Sequence, residues 1–221
     1  MEQLTSSLRV LRVVRPRQLR FEAGQYLKVG VAGHRSGSFS IASAPHEEHL
    51  ELCIELVAGG RLTPVLFRLR PGDHVDLPDR AKGSLRLDPS ARTHLMVATV
   101  TGIAPLRSLL RDALHRGASA SFVILHGASH ADELPYAEEL RALADADARV
   151  TYVPTVSRPA DPRSSAWRGE TGRVDAVAVR HAAALDPATT HVYATGNSGM
   201  IANVRSSLGG AGFAVSTEKF H

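Results

Sequence analysis

The spacing of hydrophobic and polar positions changes near residue 90 of the chain. Before that point, short runs rich in Val, Leu and Ile are interrupted at regular intervals by Gly and Pro. This rhythm is typical of short antiparallel strands that close into a small β-barrel. The runs lie at residues 8–14, 25–31, 38–44, 50–57, 73–78 and 84–88. Residues 66–70, before the turn signal Pro71-Gly72-Asp73, predict one helical turn or a loop.

After residue 90, apolar runs alternate with stretches of helical periodicity. The predicted strands are residues 95–99, 121–127, 149–155 and 191–196, and the predicted helices are residues 105–115, 134–144, 174–181 and 200–208. Such alternation produces a parallel sheet wrapped by helices. The sequence therefore predicts two domains, an antiparallel β-barrel over residues 1–90 and an α/β domain with a parallel sheet over residues 91–221.

The segment 94–116 supplies a candidate binding site in the second domain. An apolar run ends at the turn signal Thr101-Gly102, and Pro105 stands where the first turn of a helix tolerates proline. The apolar positions of this helix are Leu106, Leu109, Leu110, Ala113 and Leu114, and the polar positions opposite them are Arg107, Arg111, Asp112 and Arg116. Free N–H groups at the start of such a helix suit a phosphate. The alternative is an ordinary strand–turn–helix of an α/β core.

Composition narrows the class of protein. Hydrophobic residues make up 43% and charged residues 22% of the 221 positions, as in ordinary globular chains. No apolar run approaches the roughly 18 residues of a membrane span, and the N-terminus lacks the features of a secretory signal, so we expect a cytoplasmic protein. Cys53 is the only cysteine, so an iron–sulfur cluster held by four thiolates would have to belong to a partner. The histidine spacing predicts no metal site.

The positive charge is concentrated near the N-terminus. The formal net charge is +4, and Glu2 and Glu22 are the only acids among the first 35 residues. The basic residues there are Arg9, Arg12, Arg15, Arg17, Arg20, Lys28 and Arg35. Such a surface can steer an acidic protein partner or contact nucleic acid, although the low aromatic content of 5% disfavours nucleic acid. A solvated basic face without a specific partner is the remaining alternative.

Six motifs in a consistent order resemble the ferredoxin–NADP reductase superfamily, whose members join an FAD-binding barrel to a nicotinamide-nucleotide domain. They are FEAGQY (21–26), GSFSIAS (37–43), GGRLT (59–63), TVTGIAP (99–105), YATGNSGMI (193–201) and STEKFH (216–221). The loop WRGETGRV is also similar to one found in reductase components of bacterial oxygenases. The resemblance implies an NAD(P)H-dependent flavoprotein reductase. Such an enzyme passes a hydride from NADPH or NADH to bound FAD, and then single electrons to an acidic ferredoxin, flavodoxin or oxygenase component.

The resemblance also implies which residues bind the flavin. Phe39 would offer a flat face to the ring, and the Ser40 hydroxyl would lie near the reactive ring nitrogen as a catalytic group. The loop GGRLT would hold the flavin pyrophosphate, because glycines permit a close backbone approach. The expected flavin-binding residues are Arg35, Ser38, Phe39, Ser40, Ile41, Ala42, Ser43, Gly59, Gly60, Arg61, Leu62 and Thr63.

In the second domain, the resemblance places the nicotinamide nucleotide beyond the carboxyl ends of the strands. Thr195 and Glu218 are expected to act in catalysis beside Ser40, and Arg158 is expected to meet the adenosine ribose or its phosphate. Phe220 would cover the flavin. The other expected contacts are Thr101, Gly102, Ile103, Ala104, Pro105, Gly196, Asn197 and Met200.

Three positions depart from the family pattern. Gly37 replaces an arginine that contacts flavin phosphate, and Thr195 replaces a cysteine. Val100 replaces the first glycine of the turn Val100–Ala104, which the resemblance expects to hold the pyrophosphate of the nicotinamide nucleotide and which we call the nucleotide turn. These changes keep two alternatives open: a reductase that uses free FMN or FAD as a substrate, and a catalytically decayed module that binds partners. The choice between NADH and NADPH also stays open, because Ser129 stands where NADP-using relatives commonly have arginine. Finally, only Met1–Ser6 precede the segment SLRVLRVV (7–14), so either the barrel is closed differently or one of its edges is open and needs a cover.

Overall fold

The computed structural model describes residues 2–219, and its first part is built from antiparallel strands. These strands are β1 (Glu2–Gln3), β2 (Leu8–Val14), β3 (Tyr26–Val29), β4 (Gly37–Ser40) and β5 (His49–Glu55). The order β1-β2-β5 forms one sheet, and β3 pairs with β4 in a second. A single bridge between Ile41 and Leu52 connects the two sheets. The short β1 pairs with two residues of β2 and so covers part of its outer edge, for which the sequence left open whether it is free or closed differently.

The strands predicted at residues 73–78 and 84–88 are wrong. Residues 73–88 pair with the rest of the domain only through isolated bridges, among them Gly30 with Asp76 and Tyr26 with Lys82. Each partner of the Gly30–Asp76 bridge donates its N–H to the other's carbonyl at 2.9 Å. Pro78, two residues further on, has no N–H to donate, so a ladder of hydrogen bonds cannot continue through it. The predicted helical turn begins earlier than expected, as α1 (Thr63–Leu66), with Pro64 in its first turn.

The second part is a parallel sheet in the order β11-β10-β6-β7-β8-β9. Its strands are β6 (Thr93–Thr99), β7 (Ser121–Ala128), β8 (Val150–Val156), β9 (Glu170–Thr171), β10 (Thr190–Gly196) and β11 (Ala214–Lys219). Its helices are α2 (Ile103–His115), α3 (Ala137–Ala146), α4 (Val174–Ala182) and α5 (Ser198–Gly210). All the strands and helices predicted after residue 90 are therefore confirmed. Within residues 2–219, no helix has the length and apolar character to cross a membrane.

The helices lie on both faces of this sheet because side chains alternate along each strand. Met96 and Ala98 of β6 face one way and belong to the core cluster formed with α2 and α3. Leu95 and Val97 face the other way and pack with α4 and α5. Two covered faces explain why the strands read as continuous apolar runs in the sequence.

The connection between the two domains is tied to the amino-terminal end of the sheet. Asp88, in this connection, donates its backbone N–H to the Tyr193 hydroxyl at 2.8 Å. Its carboxylate contacts His191 Nδ1 at 3.2 Å, and His191 Nε2 contacts the Ser216 hydroxyl at 2.8 Å. These contacts fix where the chain leaves the first domain, at the end of the sheet opposite the nucleotide turn.

Arg107 of α2 joins the two domains through a buried polar seam. Sequence periodicity placed Arg107 on the polar face of the helix, but its side chain is only 6% exposed because that face packs on the first domain. Its guanidinium donates to the Ala42 carbonyl at 2.7 Å and pairs with Glu139 at 2.9 Å. The guanidinium also lies over the Tyr136 ring, 4.7 Å from the centroid. The next residue, Ser108, donates its hydroxyl to the Ser43 carbonyl at 2.7 Å.

Replacing Arg107 tests the importance of this seam. We expect Arg107→Met to lower the free energy of unfolding by roughly 1–3 kcal/mol, because it leaves the Ala42 carbonyl without its buried donor and removes one of the two cations that Glu139 shares. Urea denaturation of the flavin-loaded protein measures the change. Arg116→Met is the matched control on the same helix: the Arg116 side chain is 70% exposed, and its pair with Asp112 is worth at most about 1 kcal/mol. Equal losses of unfolding free energy in the two variants would show that the buried contacts of Arg107 stabilise the protein no more than an exposed ion pair does.

Candidate functional site

A cavity of about 650 Å³ lies between the first domain and the start of α2. Its walls come from β3, β4, the end of β5, the turn before α1, and the nucleotide turn. The lining residues are Tyr26, Gly37, Ser38, Phe39, Ser40, Cys53, Glu55, Val57, Gly60, Arg61, Leu62, Thr63, Thr101, Ala104 and Glu218. This flavin cavity contains many of the predicted flavin-binding residues.

Pairing of β3 with β4 brings an aromatic ring and a hydroxyl into the flavin cavity. Tyr26 lies opposite Ser40 in the register, and Phe39 and Ser40 are neighbours in β4. Ser40 donates its hydroxyl to Glu218 Oε1 at 2.9 Å, although the two residues are 178 positions apart. Burial raises the pKa of Glu218, and the hydrogen bond from Ser40 opposes that rise. The cavity therefore contains a hydroxyl and a carboxyl that keeps its proton more readily than an exposed glutamate.

The turn after β5 has the close backbone packing expected of a phosphate loop. Thr63 Oγ1 accepts a hydrogen bond from the Val57 N–H at 3.0 Å, which closes the turn. A Cβ at Gly60 would lie 3.0 Å from the Val57 carbonyl oxygen and 3.1 Å from Thr63 Oγ1, so a larger residue would open the turn. Arg61 follows, with an exposed side chain that lines the cavity. The turn thus combines a small residue, a hydroxyl and a cation, which suits a pyrophosphate.

A second cavity, of about 470 Å³, lies beyond the carboxyl ends of β6, β7 and β10. This is the edge of a parallel sheet where ligands of such folds bind. Its lining residues are Glu55, Val57, Thr99, Val100, Thr101, Gly127, Ala128, Ser129, Ser157, Arg173, Val174, Asp175, Gly196, Asn197 and Met200. We call it the nucleotide cavity.

Two glycines allow the nucleotide turn to press against the end of β10. A Cβ at Gly102 would lie 2.4 Å from the Thr195 carbonyl oxygen, and a Cβ at Gly196 would lie 2.3 Å from Thr99 Oγ1. Gly196 also has a φ of +114°, which side chains rarely adopt. The Thr195 hydroxyl donates to the Gly102 carbonyl at 2.7 Å, and the Asn197 N–H donates to Thr99 Oγ1 at 2.8 Å. The turn and the end of β10 therefore form one rigid unit.

Glu55, Val57 and Thr101 line both cavities. The two cavities thus share a wall at the seam between the domains, where planar groups bound in each can meet. Burial raises the pKa of Glu55, and the nearby Glu133 raises it further. A carboxyl at this junction that takes up a proton more readily than a fully solvated glutamate opposes an anionic dinucleotide less.

Several predicted site residues lie outside both cavities. Ile41 and Ala42 have buried side chains, and their N–H groups donate to Gln25 and Glu51 carbonyls within the first domain. Thr195 is fully buried and contacts the nucleotide turn. The other predicted residues that line neither cavity are Arg35, Ser43, Gly59, Gly102, Ile103, Pro105 and Arg158. Phe220 lies outside the described residues.

Sequence reasoning named no role for several of the lining residues. Tyr26 lies in the FEAGQY motif and Arg173 in the loop WRGETGRV, so the position of each within a motif could have identified it as a site residue. Arg173 contacts Asp175 at 3.2 Å, and both line the nucleotide cavity. No motif in the sequence around Glu55 and Val57 indicates a ligand site. These two residues become a wall common to both cavities only because α2 packs across the seam between the domains.

Family models match both parts of the chain. A model described as an oxidoreductase FAD-binding domain matches residues 1–84, and one described as an oxidoreductase NAD-binding domain matches residues 96–206. The two matches coincide with the part that contains most of the flavin cavity and the part that contains most of the nucleotide cavity.

Known proteins are similar to most of the chain. Ferredoxin–NADP reductase B of Sorangium cellulosum is 37% identical over 198 residues, which cover 84% of this chain and 78% of that protein. The flavodoxin/ferredoxin–NADP reductase of Shigella flexneri is 31% identical over 197 residues, covering 83% and 77%. Reductase component 2 of the terephthalate 1,2-dioxygenase of a Comamonas species is 29% identical over 208 residues, covering 93% of this chain but 60% of that protein.

The fold also has close structural counterparts. The crystal structure of a ferredoxin NADP⁺ reductase from Neisseria gonorrhoeae with bound FAD and NADP superimposes with a TM-score of 0.86 at 24% identity. The superposition covers 98% of this chain and 94% of that one. The antiparallel part followed by the parallel sheet is therefore the two-domain fold that the sequence predicted. The chain belongs to the ferredoxin–NADP reductase superfamily and is an NAD(P)H-dependent flavoprotein reductase.

Proposed function

We propose that the chain binds FAD in the flavin cavity, reduces it with NADPH or NADH, and passes single electrons to an acidic redox protein. The observation that supports this most is the wall of Glu55, Val57 and Thr101 common to both cavities. When bound, the flavin supplies the chemistry, because it accepts a hydride and releases electrons one at a time. The protein's task is to hold the two ligands against each other and to exclude water.

The residues of the flavin cavity fit such a ligand. Phe39 supplies a flat aromatic face, and Ser40 supplies a hydroxyl beside it. Gly60 and Thr63 form the tight turn that suits a pyrophosphate, and Arg61 brings a positive charge. Ser40 and Glu218 form a hydrogen-bonded pair through which a proton can move without contact with bulk water.

A reductase that uses free FMN or FAD as a substrate is the second candidate, and Gly37 favours it. The family pattern that the sequence resembles has an arginine at this position, whereas here a Cβ would lie 2.9 Å from Leu62 Cδ2 and 3.2 Å from Phe39 Cε2. The phosphate end of the cavity thus has one cation fewer than the family pattern, which weakens flavin binding.

The surface around the flavin cavity suits an acidic partner, but several of the basic residues that the sequence suggested are engaged within the first domain. Arg9 donates to the Leu66 and Leu69 carbonyls, and Arg12 pairs with Glu51. Arg15 likewise donates to the Pro45 carbonyl, at 2.6 Å. These three of the seven basic residues near the N-terminus therefore stabilise the first domain, although the Arg12 side chain remains 62% exposed.

Exposed cations remain at the mouth of the flavin cavity. Lys28 pairs in the register with Ser38, and Lys82 pairs with Tyr26, so each stands beside a cavity-lining residue. Arg61 lines the cavity itself. Lys28, Arg61 and Lys82 form no ion pair with any other residue in the described range 2–219. These cations can therefore steer an acidic protein toward the flavin.

Anaerobic reduction tests the proposed function directly. We expect NADPH or NADH to bleach the visible absorbance of the flavin-loaded protein in a stopped-flow experiment, and the two rates give the coenzyme preference. Flavin that stays with the protein during gel filtration supports bound FAD. Flavin that is lost on the column supports the second candidate, a reductase that uses free FMN or FAD as a substrate. A yellow protein that neither nucleotide bleaches contradicts the proposal and favours a catalytically decayed module.

The Ser40–Glu218 pair predicts a specific pH dependence. As the pH rises through the raised pKa of Glu218, the carboxyl loses its proton, and the new negative charge opposes flavin reduction. The reduction rate of the native protein should therefore decline across that range, and Glu218→Gln should abolish the decline because the amide stays neutral. Ser40→Ala should slow reduction by roughly a hundredfold, the low end for a positioned proton-transfer group. Glu22→Gln, at an exposed carboxylate, should keep the native profile.

Charge reversal tests the docking surface. We expect Lys28→Glu combined with Lys82→Glu to lower kcat/KM toward a bacterial ferredoxin by roughly tenfold or more at low ionic strength. The loss should shrink as salt is added, since salt screens exposed charges. Reduction of a small dye acceptor should stay unchanged. Arg116→Glu, at the end of α2 remote from the cavities, is the control, and an equal loss there would refute a local docking surface.

A further inference from the structure

The nucleotide turn contains an unusual backbone conformation. Within residues 2–219, Val100 (φ +44°) and Tyr136 (φ +62°) are the non-glycine residues with positive φ. A β-branched residue is strongly disfavoured there, because its Cβ crowds the backbone. A glycine would adopt this conformation freely, so the surrounding structure must hold Val100 in place.

His126 forms a hydrogen bond with the backbone of Val100, the residue with the unusual conformation. It lies in β7 with no exposed surface, and its Nε2 is 3.0 Å from the Val100 carbonyl oxygen. Its Nδ1 is 3.1 Å from the Tyr152 hydroxyl, which comes from the neighbouring strand β8. His126 and Tyr152 line neither cavity, so neither touches a ligand there.

Only one arrangement of protons satisfies both contacts. The Val100 carbonyl can only accept, so Nε2 must donate to it. Burial lowers the pKa of His126 to about 4, so the ring is neutral near pH 7 and Nδ1 has no proton. Tyr152 must then donate its hydroxyl to Nδ1, and burial keeps that hydroxyl protonated by raising its pKa. Tyr152 therefore fixes the tautomer that makes His126 a donor to the turn.

Apolar packing holds the side chain of Val100, in addition to the hydrogen bond at its carbonyl. This side chain packs against the small apolar cluster of Ala128, Leu134 and Val156, which also includes Trp167. The valine thus packs part of its side chain against this cluster, and it also lines the nucleotide cavity. Trp167 is the only tryptophan of the chain, so its fluorescence reports on the surroundings of Val100.

We propose that His126 is a positioning residue for the nicotinamide nucleotide, which holds the Val100 carbonyl so that the turn keeps the shape needed to receive the ligand. Val100 and Thr101, which follow directly from β6, line the nucleotide cavity. Their backbone leads into α2, whose first N–H groups are the available donors at this edge. The proposal rests on nucleotide binding as described under the proposed function.

A double-mutant cycle tests this role in the FAD-loaded enzyme. The variants are His126→Phe, Val100→Gly and their combination, and the measurement is the Kd for NADP⁺ and for NAD⁺ by calorimetry, with Trp167 fluorescence as a second readout. His126→Phe should weaken binding by about tenfold in the Val100 enzyme, the effect of one lost hydrogen bond. In the Val100→Gly background the same change should cost less than about threefold, since glycine needs no support at positive φ.

Two conservative variants keep the test decisive if His126→Phe fails to fold. His126→Gln retains a side-chain donor and should bind nucleotide within about threefold of the native enzyme. Tyr152→Phe removes the group that fixes the tautomer, and it should weaken binding in the Val100 enzyme but not in the Val100→Gly enzyme. Flavin content should stay constant in every variant.

The outcomes separate this inference from the proposed function. If the histidine and tyrosine substitutions weaken binding equally in the native and the Val100→Gly backgrounds, or do not weaken it at all, His126 does not act through the turn and the inference is overturned. If the native enzyme binds neither NADP⁺ nor NAD⁺, the proposed function itself fails.

Discussion

A buried guanidinium holds the two domains in one arrangement, and the candidate site depends on that arrangement. The Arg107 side chain donates to the Ala42 carbonyl in the first domain and pairs with Glu139 in the second. A buried charge separated from its partners is strongly unfavourable, so the domains cannot easily slide along this seam. Because α2 carries Arg107 and also begins at the nucleotide turn, the same contact sets the distance between the flavin cavity and the nucleotide cavity.

The nucleotide cavity is shaped mainly by backbone. Gly102 and Gly196 allow the turn and the end of β10 to approach more closely than any side chain would permit. Thr195 supports this approach from inside, through its hydrogen bond to the Gly102 carbonyl, and His126 supports the strained Val100. A left-handed valine costs on the order of 1–3 kcal/mol, which the surrounding contacts must offset. Thr195 and His126, which line neither cavity, therefore help to determine the shape of the site.

The parallel sheet was predictable because its signal is local. Strands covered on both faces read as continuous apolar runs, and each alternates with a helix of clear periodicity. Residues 73–88 lack such a signal: they are apolar enough to suggest strands, yet Pro78 and the turns around it allow only single bridges. Strand β11 was missed for a different reason, since its residues AVSTEK (Ala214–Lys219) contain no continuous apolar run. Its pairing nonetheless brings Glu218 within 2.9 Å of Ser40.

The sequence by itself determined the order of the motifs, the type of most elements, and the family, since these depend on residues close together in the chain. The tertiary structure alone decided which charges are available. Arg9, Arg12 and Arg15 read as a free basic surface, but each is hydrogen-bonded or ion-paired to another group of the first domain. Arg107 read as a solvent-facing position but is buried. Whether a charge pairs or stays free depends on groups brought near it from distant parts of the chain, and no local pattern of residues records those partners.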